Sequence, residues 1–143
     1  MTIFCDTSVL VAGCVRRHPH FARARPLLQS VASGEEGVIS CHSLAEAYSA
    51  LTCLPLRPAI LPVEAEAIIN TNIRPHFRLQ AVTSTMYERA VQACVRRSLP
   101  GGKVYDALLL ECAREAGCDR IYTFNVSDFR RLAPDLAERI SAP

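Results

Sequence analysis

The sequence contains no tryptophan and a single lysine, Lys103, against fifteen arginines. With only four Tyr and five Phe, a large base-stacking platform is not expected. No two of the seven cysteines (Cys5, Cys14, Cys41, Cys53, Cys94, Cys112, Cys118) are spaced Cys-x-x-Cys. That argues against a zinc ribbon or finger. Most of them sit among apolar neighbours, as in Ile3-Phe4-Cys5, and read as small buried hydrophobes in a reducing compartment. No run of about 18 apolar residues is present, so no membrane span is expected. The segment Met1–Asp6 is short, has no basic residue and meets a carboxylate, unlike a signal peptide. The expected location is the cytoplasm. Neither a Gly-x-Gly-x-x-Gly nor a Walker loop occurs, which disfavours nucleotide binding of those kinds. Charge of one sign is also lacking: 16 basic and 14 acidic side chains leave +2. A polycation that holds nucleic acid by bulk electrostatics is excluded, as is an acidic tail protein.

What is present fits one domain over residues 1–143, half of whose residues are hydrophobic. Apolar runs at 2–5, 37–40, 79–82 and 120–123 read as strands, with a short edge strand at 138–141. Between them, segments at 8–15, 20–33, 43–54, 62–72, 84–98 and 103–116 read as helices, and Gly117 reads as the cap that closes the last. Leu54 to Pro62, with three prolines, reads as a loop. Strands alternating with helices predict an α/β/α sandwich around a mainly parallel sheet. In such sheets the ligand site lies at the carboxyl ends of the strands.

Acids lie where that rule points. Asp6 ends the first strand, and Asp128 follows the fourth. Glu46 shares a helical stripe with Ala50 and Cys53, and Asp106 shares one with Leu110 and Ala113, so both are expected to look inward. Each has an ordinary explanation taken alone: a helix cap for Asp6, a capping box with Ser43 for Glu46, the helix dipole for Asp106, a turn for Asp128. Four such acids on one sheet edge would repel one another unless a hard cation lay among them. Mg²⁺ or Mn²⁺ with oxygen ligands suits phosphodiester cleavage.

At these residues the sequence resembles the PIN-domain ribonucleases, in particular the VapC-type toxins of toxin–antitoxin pairs. Ile3-Phe4-Cys5-Asp6-Thr7-Ser8 is similar to the family's strand-Asp-Thr-Ser opening, and Leu44-Ala45-Glu46 falls where its helical Glu is expected. Gly102-Lys103-Val104-Tyr105-Asp106-Ala107 resembles its Gly-x-x-x-Asp-Ala segment. Thr123-Phe124-Asn125-Val126-Ser127-Asp128-Phe129 resembles its Thr-x-Asn-x-x-Asp-Phe ending. The likeness runs from Asp6 to Phe129 in order. It implies a PIN-like fold and divalent-metal-dependent cleavage of RNA. It also implies a homodimer and an antitoxin protein that blocks the site. Carried onto this chain, it makes Asp6, Glu46, Asp106 and Asp128 the catalytic, metal-holding acids. Thr7, Ser8 and Asn125 become polar supports.

RNA would need counter-charge, and the candidates are Arg16, Arg17, Arg130 and Arg131, the last pair lying closest in sequence to an acid. Tyr105, beside Asp106, is the one aromatic worth testing for stacking, and packing is the preferred reading for it. His18-Pro19-His20 reads as a surface loop or a helix cap, and His42 and His76 carry no pattern. The alternatives are a stand-alone PIN nuclease of RNA processing and a non-catalytic module of the same fold. A haloacid-dehalogenase-type phosphatase would want Asp-x-Asp where Asp6-Thr7-Ser8 stands. A receiver domain would want a phosphoacceptor Asp after the third strand, where none occurs.

Overall fold

Ile3, Phe4 and Cys5 are apolar in succession because the strand they form is covered on both faces. In the computed structural model, which describes residues 1–143, β1 (Thr2–Cys5) is the middle of five strands. The others are β2 (Glu36–Ser40), β3 (Phe77–Gln80), β4 (Arg120–Tyr122) and β5 (Ile140–Ser141). Their order is β3-β2-β1-β4-β5, and every pairing is parallel. The strands carry their side chains alternately to the two faces. Ile3, Cys5 and Ile39 join the core under α1 (Thr7–Cys14), α2 (Phe21–Ala32), α3 (His42–Cys53) and α4 (Pro62–Ile68). Phe4, Val38 and Ile121 join the core under α5 (Ser84–Arg96), α6 (Lys103–Glu115) and α7 (Val126–Leu132). The result is the three-layer sandwich, with a sheet that is parallel throughout.

Two glycines set its tolerances. Gly13 lets α1 approach α2: a Cβ there would lie 2.7 Å from Leu28 Cδ2. Gly117, at φ +64°, ends α6 in the left-handed conformation that glycine adopts without strain.

The elements depart from expectation in four places. The third strand starts two residues earlier than its apolar run suggests, at Phe77. That ring covers Gly37, its partner in the register. The helix from Pro62 loses its α geometry at Ile69 and finishes as a π turn, Ile69–Ile73. Residues 138–139 belong to a 3₁₀ turn (Pro134–Arg139), so β5 is two residues long. The segment after β4 is helical, and Asp128 lies in the first turn of α7. Four cysteines are buried and all seven are free thiols. Cys41 and Cys53 are exposed.

Candidate active site

Asp6 follows β1 directly, in the cap position of α1, and is 4% exposed. Its carboxylate does not cap the helix. Instead Thr123 Oγ1 and Ser8 Oγ both donate to Oδ2, at 2.7 and 2.8 Å. Burial pushes this carboxyl above its ordinary range. The two hydroxyls and the nearby amides of Thr7 and Ser8 partly offset that push.

Glu46 reaches the same region from α3. The buried stripe of that helix is Ser43, Ala47 and Leu51, and Cys53 is exposed. The stripe expected through Glu46, Ala50 and Cys53 is therefore displaced: Glu46 lies half-buried at its margin, facing the sheet edge rather than the core. The expected capping box is not formed, because α3 begins at His42, one residue before Ser43. Glu46 Oε1 accepts from Thr7 Oγ1 at 3.2 Å, and His42 Nε2 lies 3.8 Å away. Desolvation raises its pKa and Asp6 adds to the rise, while His42 and Thr7 oppose it.

Asp106 occupies the first turn of α6, on the face that buries Leu110 and Ala113. Its carboxyl is pushed up to about 7, first by desolvation and then by the charge of Asp6. Asp128 and Glu46 push the same way, and Lys103 opposes them. The four acids thus act on one another, although they come from four separate stretches of sequence. Asp128 is held by the chain's one lysine: Lys103 Nζ donates to its Oδ2. Arg131 Nη1 lies 3.9 Å from Oδ1.

The remaining candidates divide. Thr7 and Ser8 touch the acids, as described. The Asn125 side chain makes no hydrogen bond to any acid; its backbone N–H donates to Thr123 Oγ1 at 2.9 Å. Arg130 is turned away, bonding the carbonyls of Ala137 and Ile140 at 3.2 and 2.7 Å. Arg17 is likewise occupied by the carbonyls of Arg57 and Pro58. Arg16 is exposed. Sequence reasoning missed Thr123, Lys103 and His42 as members of the site. Lys103 was visible as the only lysine and as an unassigned position of the Gly102–Ala107 segment. Thr123 was visible inside a motif, and the signal for His42 was its place four residues before Glu46 on one helix.

No three His, Cys, Asp or Glu side chains stand at ready-made ligand spacing. The donor set nevertheless suits a hard divalent cation: carboxylate oxygens, two of them on acids raised first by desolvation and further by acidic neighbours, with an ammonium already drawn onto a third. Asp6, Asp106, Asp128 and Glu46 are the residues that would hold it.

A parallel α/β/α sandwich with a buried Asp after the central strand and three further acids around it defines a class of acidic-site domains. Residues 3–134 match the family model for the PIN domain, and the chain belongs to that family. It is similar to ribonuclease VapC40 of Mycobacterium tuberculosis, at 36% identity over 122 residues, covering 78% of each chain. It is also similar to ribonuclease VapC27 of the same organism, at 30% over 110 residues, covering 77% of this chain and 75% of the relative. Among solved structures, M. tuberculosis VapC20, described as a Sarcin-Ricin loop cleaving toxin, superposes with a TM-score of 0.67. That match has 23% identity over 86% of this chain and 89% of the other. VapBC2 of Rickettsia felis, solved with a promoter DNA fragment, gives 0.66 at 16% identity, covering 92% and 93%. These two likenesses speak to the fold.

Proposed function

We propose that the chain is a divalent-metal-dependent endoribonuclease, the toxin of a toxin–antitoxin pair, working as one PIN-like domain. The observation that carries this reading is buried Asp6 with three further carboxylates around it, each of the four raised or paired in a way that a bound cation would relieve. Its relatives named as ribonucleases give the substrate class, RNA. The complete acid set argues against a non-catalytic module. A homodimer and an inhibitory antitoxin protein are the partners. No helix is long and apolar enough to cross a membrane, and the proposed setting is the cytoplasm. Mg²⁺ or Mn²⁺ is the proposed ion.

When bound, the ion acidifies a water and stabilises charge on the phosphate. The chain's own residues do the rest. Thr123 and Ser8 fix Asp6 through one oxygen, so the carboxylate is oriented before substrate arrives. Thr7 fixes Glu46, whose raised pKa suits a general base that orients the attacking water. Lys103 places an ammonium where the phosphate would otherwise meet only acids. Arg131 adds charge at the same margin.

Asp6→Asn should abolish Mn²⁺-dependent cleavage of a synthetic RNA, as EDTA should for the parent, while the thermal transition persists. Full activity in that variant would overturn the reading.

A further inference from the structure

Two aromatic pairs border the acids, although aromatics are scarce in the chain. Phe124 follows β4, and the imidazole of His20 stacks on it with ring centroids 4.6 Å apart and planes 20° from parallel. Arg23 sets its guanidinium 5.4 Å from the Phe124 centroid, while also donating to the Pro143 carbonyl. The turn His18-Pro19-His20 is held by the His20 N–H donating to His18 Nδ1 at 3.0 Å, which fixes the stacked histidine. These rings border a cleft of about 320 Å³ whose other walls include Ser8, Val11, Ala50 and Leu54. Ser8 ties the cleft to the chemistry: its Oγ donates to Asp6 and accepts from the Phe124 N–H at 3.3 Å. The second pair is His42 and Tyr105, with centroids 5.6 Å apart and planes 9° from parallel. His42 follows β2, and Tyr105, half exposed, precedes Asp106.

Because β1 lies between β2 and β4, His42 and Phe124 stand on opposite sides of Asp6 along the sheet edge. A phosphodiester held at the acids carries one nucleoside on each side. We propose that the Phe124–His20 cleft and the Tyr105–His42 pair are nucleobase subsites that receive the two unpaired bases flanking the scissile phosphate. The cleft joins the acids through Ser8, where the base next to a phosphate held at Asp6 would lie. Stacking on aromatic side chains is how splayed single-stranded nucleotides are held. The inference rests on the ribonuclease reading and adds to it the state of the substrate: two adjacent nucleotides out of the helical stack.

The test uses the full chain with Mn²⁺ and short unstructured RNAs in which each nucleotide in turn is made abasic. An abasic nucleotide on either side of the cut should lower kcat/KM by about tenfold or more, the size of one base–aromatic stack. Phe124→Leu, which keeps apolar volume, and His20→Ala, at an exposed position, should slow the intact RNA by a similar factor. They should add nothing when the base on their side is already missing. Tyr105→Leu should behave the same way at the other flank. With cleavage blocked by Asp6→Asn, 2-aminopurine at the two flanking positions should be quenched on binding, and the variants should relieve that quenching. Variants that slow intact and abasic RNAs equally, or leave quenching unchanged, overturn the subsites while parental cleavage keeps the ribonuclease reading standing. The subsites are equally overturned if the variants cleave every RNA normally and lose only inhibition by a protein partner. No cleavage of any RNA by the parent removes both readings.

Discussion

Replacing Asp106 by Asn keeps the shape of the side chain and removes its charge. The fold keeps the Asp106 carboxyl protonated up to about 7, against an ordinary value of 3.8. Folding therefore takes up a proton between those values. The stability linked to this group is fully present below about 3.8 and lost as pH rises through about 7. Asp106→Asn should accordingly be more stable than the parent at pH 8 in EDTA, with the gap closing toward pH 4 and the variant inactive throughout. Melting curves of both proteins across that range, without metal, check the sign; titrating groups remote from the site cancel in the comparison, while Asp6, Glu46 and Asp128 feel the removed charge. A function-stability conflict of this kind is common where like charges are gathered for catalysis. Residue by residue, Asp6, Asp106 and Asp128 could be placed at the sheet edge from strand ends and helical spacing, whereas Glu46 could not, because it lies at the margin of the buried face of α3 and not on the stripe its spacing suggested. The role of Lys103 was not legible, because the side chain meets Asp128 through tertiary geometry that neither spacing nor composition assigns. His42, four residues before Glu46 on one helix, stands at a spacing that does assign its contact.

At the scale of elements, the register between β2 and β3 turns on one missing side chain. A Cβ at Gly37 would lie 2.5 Å from Val31 Cγ1 and 2.7 Å from the Phe77 ring. Gly37→Ala should cost about 1–3 kcal/mol, the usual range for overpacking a filled core, read by urea denaturation. An unchanged midpoint would mean that Phe77 and Val31 move aside freely. The same contact explains why β3 begins two residues before its apolar run. The stretch Leu79–Val82 looks like a strand in isolation, but Phe77 is drawn into the sheet by the space above Gly37. The alternation of strands and helices, and hence the sandwich, was legible from hydrophobic runs alone. The helix α7 was not, since its seven residues overlap the stretch that carries Asp128 and contain too few turns to show a period.

For the whole molecule, the near-neutral charge conceals a division. Removing Asp6, Glu46, Asp106 and Asp128 from the 14 acids leaves 16 basic side chains against 10, a surplus of +6. If that surplus meets the RNA backbone, KM should rise with salt while kcat changes little. Two phosphate contacts on a single strand, at a log–log slope of about −0.7 each, give roughly a sevenfold rise for a fourfold increase in salt. A salt-independent KM would mean that the arginines do not face the substrate. The scarcity of lysine has a practical side as well. Apart from the N-terminal amine, an acylating reagent finds one nitrogen to modify, Lys103 Nζ, with 37% of that side chain exposed. A single acyl group would cancel the ammonium on Asp128 and mark the molecule by mass at its site, so amine labelling doubles as a footprint of whatever covers that edge.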